Sequence, residues 1–367
     1  MEIEERDWLY SLNLIEGIGR RTIFGLYRTV SSLKNRSEVT VPLLRTLGIS
    51  ASLCQQITTR LTREQVLADK EERIRSQIQF VSFLDEEFPH ALSNIPDPPA
   101  LLFYKGDFTL LNEPMLAIVG TRKATRYGES VCQYFASGMS KRGMVIISGM
   151  ALGIDTLAHR FALETGSPTI AVLGCAIDQI YPRQNTSLYQ KIVQKGLILS
   201  EYPPGTKLHP GMFPERNRII SGLSLGVLVI EAAERSGSLI TADHALEQGK
   251  EVFAVPGSIF SQASIGPHNL VKQGAKLVTD CQDIVEEFTW LPTKIEASAI
   301  FDKESLDSDE QFLLSMISET PVHWDELYMS LDPSVRLSLD PTLVRLQTKK
   351  CIEWLPGGYY RRRADQK

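Results

Sequence analysis

At 367 residues the chain is longer than one hydrophobic core usually serves, so two or three domains are expected. Hydrophobic residues make up 43% and charged residues 23%, the proportions of an ordinary globular protein rather than a disordered or fibrous one. The formal net charge of −5 excludes a generally basic nucleic-acid coat but leaves room for local basic clefts.

The cysteines Cys54, Cys132, Cys175, Cys281 and Cys351 are odd in number, far apart and without a C-x-x-C pair. That pattern fits buried thiols in a reducing cytoplasm rather than disulfides or a zinc site. The acidic start MEIEERDW is unlike a signal peptide, and no apolar run approaches the length of a membrane span. A cytoplasmic protein is expected.

Residues 1–75 carry Leu, Ile and Val at helical spacing, and a helical domain is expected there. Within it, Leu14-Ile15-Glu16-Gly17-Ile18-Gly19-Arg20 has the form of a helix-hairpin-helix turn, whose glycines let backbone N–H groups approach a phosphate. An ordinary tight turn between two helices explains the same residues.

From residue 76 to 288 short apolar runs alternate with amphipathic helical segments, which predicts parallel βαβ units covered on both faces. Strands are expected at Leu101–Tyr104, Leu116–Val119, Val145–Ser148, Ile170–Leu173, Leu197–Ser200, Val227–Ile230, Val252–Val255 and Lys276–Val278. Ligands of such sheets sit where strands end and helices open. Residues 289–309 lose periodicity and read as a linker. Residues 310–367 then give three short helices, near Glu310–Ser318, Trp324–Leu331 and Pro341–Lys349, and a hairpin around Pro356-Gly357-Gly358, the order of a winged helix. Residues 300–340 hold two cations against ten acids, and residues 341–367 seven cations against two acids. The net acidity weakens a duplex-binding reading and suits a protein contact at least as well.

Two loops carry the chemistry. Gly120-Thr121-Arg122-Lys123-Ala124-Thr125-Arg126 lacks both G-x-G-x-x-G and a Walker lysine, but offers a hydroxyl, three cations and helix N-terminal amides to phosphates. A solvated charged loop is the alternative. The second, from Pro203 through Lys207 to Phe213-Pro214-Glu215-Arg216-Asn217-Arg218, reads as a long loop before a helix at Ile219–Leu223. Its aromatic among cations suits base stacking, although Phe213 alone is as easily a core residue.

Asp155 and His159 lie four apart on one helix face and suit an acid/base pair or two metal ligands. An N-cap role for Asp155 explains it better, and no third ligand stands at fixed spacing. Ser236-Gly237-Ser238 opens a helix and suits a phosphate, but no G-x-S-x-G elbow surrounds it. Neither a catalytic set nor a metal or cofactor site is expected.

The stretches IVGTRKATRYG, SGMALGIDTLAH, TIAVLGCAIDQIYP, LILSEYPPG, FPERNRIISGLS, VLVIEAAERSGSLITADHALEQGKEVFAVPG and GPHNLVKQGA together resemble the DNA-processing protein A (DprA/Smf) family. The resemblance implies an α/β fold with an extended Rossmann-like parallel sheet, flanked by an N-terminal SAM-like domain and a C-terminal winged-helix domain. It also implies a non-enzymatic homodimer that binds single-stranded DNA and loads the recombinase RecA in natural transformation. The family's DNA-binding residues carry over to Gly120, Thr121 and Arg122 and to Phe213, Arg216, Asn217 and Arg218, with Lys123 and Lys207 in the same loops. Where the family commonly has Gly-x-Gly, this chain has Gly174-Cys175-Ala176, and a Cβ at 176 is expected to crowd the turn. A Rossmann-type nucleotide hydrolase of the lysine-decarboxylase-like class is the alternative from the enzyme class, separated by a hydrolysis assay. A transcription regulator acting through the winged segment is the third reading, separated by comparing duplex with single-strand binding.

Overall fold

The computed structural model describes residues 2–35, 38–288, 308–318, 320–331, 336, 339–348, 351–355 and 357–362. The expected linker therefore lies almost wholly outside the described residues. Two compact units are present, Met1–Ala299 and Ile300–Lys367.

The first unit opens with five helices: α1 (Glu5–Asn13), α2 (Arg20–Tyr27), α3 (Val41–Thr46), α4 (Ala51–Arg60) and α5 (Arg63–Arg75). Thr40, Ser50 and Thr62 begin the last three by accepting the amides of Leu43, Leu53 and Gln65, which satisfies N–H groups the helix leaves without partners. The apolar faces of these helices, including Leu9, Leu12, Ile23, Leu26 and Ile57, share one core with Phe80, Phe103 and Ile198 of the sheet that follows. Asp7 is buried against Lys70 (2.7 Å) and Arg73 (3.4 Å), tying α1 to α5.

The sheet has nine strands: β1 (Gln79–Ser82), β2 (Leu101–Gly106), β3 (Met115–Val119), β4 (Val145–Ser148), β5 (Thr169–Leu173), β6 (Leu197–Ser200), β7 (Gly226–Val229), β8 (Glu251–Ala254) and β9 (Lys276–Leu277), in spatial order β1-β2-β6-β5-β4-β3-β7-β8-β9. The seven strands from β6 to β9 pair in parallel. β2 runs antiparallel to both of its neighbours, β1 and β6, so the sheet is mostly and not wholly parallel. The connection from β1 to β2 holds only the one-turn helix α6 (His90–Ser93), too little for a parallel crossover, and Pro96, Pro98 and Pro99 prevent its extension.

Alternate residues of the central strands serve two cores. Met115, Ala117 and Val119 of β3 face one side, with Ile219, Ile220 and Leu223 of α10 (Met212–Leu223) and Ala242 and Ala245 of α11 (Gly237–Glu247). Leu116 and Ile118 face the other, with Cys132, Phe135 and Met139 of α7 (Arg126–Lys141) and Leu157 and Phe161 of α8 (Ile154–Glu164). The helices α9 (Thr186–Lys195), α12 (Ile265–Lys272) and α13 (Cys281–Val285) complete the unit. After β6 the chain crosses by α10 from one side of β3 to the other, so the order reverses between β3 and β7. The crevice at such a reversal is where open α/β sheets take ligands.

The second unit places α14 (Ser308–Met316), β10 (Val322–His323), α15 (Trp324–Ser330), α16 (Leu339–Thr348), β11 (Ile352–Leu355) and β12 (Tyr359–Arg362) around Leu313, Leu314, Leu327, Leu343 and Leu346. Its sheet is antiparallel in the order β10-β12-β11, and both Gly357 and Gly358 in the β11–β12 turn have positive φ. Among the described residues no helix is long and apolar enough to cross a membrane.

Candidate nucleic-acid interface

A cavity of about 460 Å³ opens at the β3/β7 reversal. Gly120 and Arg122 from the loop after β3, Phe213, Arg216 and Asn217 from α10, and Ser236, Gly237 and Ser238 from the start of α11 all line it. The expected loop through Phe213–Arg218 is a correction: these residues are already helical, because α10 begins at Met212. Pro214 is tolerated there because the first turn of a helix has no donor to lose. Helical spacing then aims Phe213, Arg216, Asn217 and Ile220 into the cavity as positions i, i+3, i+4 and i+7.

The loop after β3 is held from below. Thr121 donates its amide to the Glu231 carbonyl (2.7 Å) and accepts from the Ile154 amide (3.1 Å). The buried Glu231 carboxylate accepts the amide (3.0 Å) and hydroxyl (2.5 Å) of Thr125, the N-cap of α7. A Cβ on Gly120 would stand 2.6 Å from Ile154 Cγ1 and 2.9 Å from the Glu231 carbonyl oxygen, so only glycine lets the strand end pass there. Thr121 Oγ1 caps the Lys123 amide (3.2 Å). Arg122 and Lys123 are exposed, and Arg122 places its guanidinium 5.8 Å from the centre of the Phe213 ring.

Arg216 is the deepest cation lining the cavity, 4% exposed. Its Nη1 donates to the carbonyls of Gly149 (2.7 Å) and Val172, and its Nε to Asn217 Oδ1 (3.2 Å). Among the described residues it forms no ion pair, although the buried Asp155 carboxyl is near: a Cβ on Gly149 would stand 2.4 Å from Arg216 Nη2 and 2.7 Å from Asp155 Oδ2. Burial depresses the Arg216 pKa from its ordinary value, against the field of Asp155. Burial in turn raises Asp155 to about 6, opposed by Arg216 and by the Ala151 amide, and burial lowers His159 to about 3. His159 meets Thr169 Oγ1 at 2.8 Å and lies behind the cavity. The expectation that Asp155 caps α8 is corrected. Gly153 is the cap, and Asp155 sits inside the first turn, reaching back to the Ala151 amide at 3.3 Å.

Phe213 is partly exposed and packs on Tyr181, ring centres 5.3 Å apart and tilted by 41°. Its backbone lies so close to Gly174 that a Cβ there would come within 2.7 Å of the ring. Ala176, where crowding was expected, is fully buried with no positive φ, so its methyl is accommodated.

Two expected residues lie elsewhere. Arg218 is buried on the far side of α10, where Nη2 donates to both oxygens of Glu201 (2.7 and 2.8 Å) and Nε lies 3.4 Å from Asp97. Lys207 lines a separate cavity of about 440 Å³, shared with Gly17, Gly19 and Arg20 of the N-terminal turn.

Sequence reasoning missed Tyr181 and Asn185. Asn185 donates to the carbonyl of Met150 (2.8 Å), a buried residue at φ 60° between Gly149 and Ala151. Their signal lay in IDQIYPRQN, an aromatic and an amide in the turn that follows a buried strand.

The family of DNA recombination-mediator protein A matches residues 79–289. A DNA processing protein DprA of Streptococcus pneumoniae is 49% identical over 207 residues, 56% of this chain and 73% of the relative. The X-ray structure of DNA processing protein A from the same organism superposes with a TM-score of 0.68 at 37% identity, over 78% of this chain and 99% of that one. A Helicobacter pylori DNA processing protein A, whose structure is described as revealing a single-stranded DNA binding mode, gives 0.53 at 35% identity over 58% and 95%.

Proposed function

Since the chain belongs to the DNA recombination-mediator protein A (DprA/Smf) family, we propose that the cavity at the β3/β7 reversal binds single-stranded DNA. The observation that carries the reading is Arg216: a buried guanidinium that lines the cavity and feels Asp155 without forming an ion pair with it is costly unless an anion completes it. The exposed Arg122 and the first amides of α11 face the same space, suiting a phosphate. Phe213 and Tyr181 present aromatic surface beside them, which suits a base and carries no preference for sequence. The single-stranded DNA binding described for the Helicobacter pylori protein supports the same assignment.

In this reading Gly120, Thr121, Arg122 and Lys123 form one wall and Phe213, Arg216 and Asn217 the other, while Arg218 holds α10 in place. Lys207 contributes at the rim of the neighbouring cavity. The role is binding and delivery rather than catalysis: a homodimer protects incoming DNA and loads RecA during natural transformation in the cytoplasm. The segment 1–75 acts as a SAM-like module and 310–367 as a winged helix, joined to the 76–288 domain by 289–309.

Arg122→Ala should weaken oligothymidylate binding by about 1.5–3 kcal/mol, the range for a hydrogen bond to a charged group, and leave the melting temperature unchanged because the side chain is exposed. The slope of log affinity against log salt should fall by about 0.7. Anisotropy titrations at several salt concentrations test this, and an unchanged slope or equal affinity for blunt duplex would sink the reading.

Phe213→Ala separates stacking from core packing. Stacking predicts a loss of about 1–3 kcal/mol in DNA affinity with the salt slope intact. A purely structural Phe213 predicts about 3–5 kcal/mol of lost folding stability and normal binding once folded.

A further inference from the structure

The loop after β8 ends in a turn, Ser258–Ser261, whose tip is apolar and exposed. Ile259 is 78% and Phe260 90% accessible, the latter more than any other large hydrophobic residue described. The turn is well anchored. Ser261 donates its amide to the Ser258 carbonyl (3.0 Å), the Phe260 amide reaches Ser258 Oγ (3.3 Å), and the Ala263 carbonyl accepts from Ala232 (2.8 Å). Two adjacent apolar side chains held in water by a fixed backbone form an exposed patch suited to a partner.

What surrounds it indicates the partner's chemistry. Tyr127, half exposed in the first turn of α7, donates its hydroxyl to the Pro256 carbonyl (2.6 Å) and lays its ring against Gly257 at the base of the same loop. Lys123 and Arg126 are exposed on the chain leading into Tyr127, and among the described residues neither is ion-paired. Aromatic rings alternating with unpaired cations suit bases and phosphates together. β8 stands two places from β3 in the sheet, so the loop emerges on the edge that carries the cavity, roughly 10 Å along it. About three stacked nucleotides, at about 3.4 Å each, cover that distance.

We propose that the Ser258–Ser261 turn, with Phe260 at its tip and Tyr127 at its base, is a second base-stacking station for the DNA strand that enters the β3/β7 cavity. The inference rests on the single-stranded DNA reading above. The strand's phosphates pass Lys123 and Arg126 on the way.

The test uses the full chain and fluorescein-labelled oligothymidylates from about four to about twenty nucleotides, spanning the site sizes of single-strand binders. Phe260→Ala should weaken binding of the long oligonucleotides by about 5- to 140-fold, the stacking range converted to affinity. The shortest ones, which fill only the cavity, should bind as to the unchanged protein, and Phe260→Trp should restore long-oligonucleotide affinity. Equal binding of all lengths by Phe260→Ala overturns the station while leaving the cavity reading intact. A change in oligomeric state by light scattering would make the turn a contact between copies and also overturn it. If the unchanged protein binds no oligonucleotide of any length, the cavity reading itself fails.

Discussion

Replacing Arg218 by Ala is expected to lower the stability of the first unit by about 3–5 kcal/mol. Both oxygens of Glu201 accept from this one guanidinium, and the pair is almost fully enclosed, Arg218 at 3% and Glu201 at 10% side-chain exposure. Burial already pushes the Glu201 pKa upward, with Arg218 the main influence holding it down. Truncation leaves the buried carboxylate with only the field of Arg20 to hold it ionised, so it must stay charged in an apolar setting or take up a proton. Urea unfolding at neutral pH measures the loss, and the double variant Arg218→Ala with Glu201→Ala should recover part of it. A midpoint close to that of the unchanged protein would show that Arg218 is not the keystone of α10. Once folded, the variant should bind DNA with its salt slope nearly unaltered.

Arg216→Gln, only two residues away, is expected to do the reverse. The amide keeps a neutral donor in place of the guanidinium that reaches the carbonyls of Gly149 and Val172, but the charge facing the cavity is gone. Affinity for oligothymidylate should fall by about 2–5 kcal/mol, as when one member of a buried charge pair is removed, and the salt slope should fall by about 0.7. Folding should lose less than in Arg218→Ala, because no ion pair is broken and the buried Asp155 carboxyl, already raised to about 6, can take up a proton. Anisotropy and thermal melting, run in parallel, separate the outcomes. A large drop in melting temperature with unchanged affinity would make Arg216 structural and move the binding site elsewhere.

The contrast between the two arginines marks where sequence reading stopped. The apolar runs at 116–119, 145–148 and 197–200 are strands in the structure because each is buried on both faces, and that burial writes itself into composition. The G-T-R turn and the Phe213–Arg218 segment were legible as candidates for one site, and Gly120, Arg122, Phe213, Arg216 and Asn217 do line one cavity. What each arginine does was not, because Phe213–Arg218 read as a loop. In a helix, residues 216 and 218 point roughly 200° apart, so one lines the cavity and the other is sealed against Glu201. The antiparallel β1 and β2 and the reversal between β3 and β7 were hidden for another reason. Strand order depends on which side of the sheet a crossover returns to, and no local pattern records that. Tyr181 and Glu231 join the site by contacts from residues 32 and 106 positions away, to Phe213 and Thr125 respectively.

All five cysteines are buried, and they are spread over three cores: Cys54 and Cys175 in the one the N-terminal helices share with the sheet, Cys132 and Cys281 in the one beneath α7, and Cys351 in the second unit. Burial raises the thiols of Cys132, Cys175 and Cys281, the last two to about 11, so little thiolate exists at neutral pH while the fold is closed. An alkylating reagent can therefore reach each sulfur only as its own surroundings open. The chain carries its own set of local opening reporters, which peptide mass mapping after timed alkylation reads region by region without any added label.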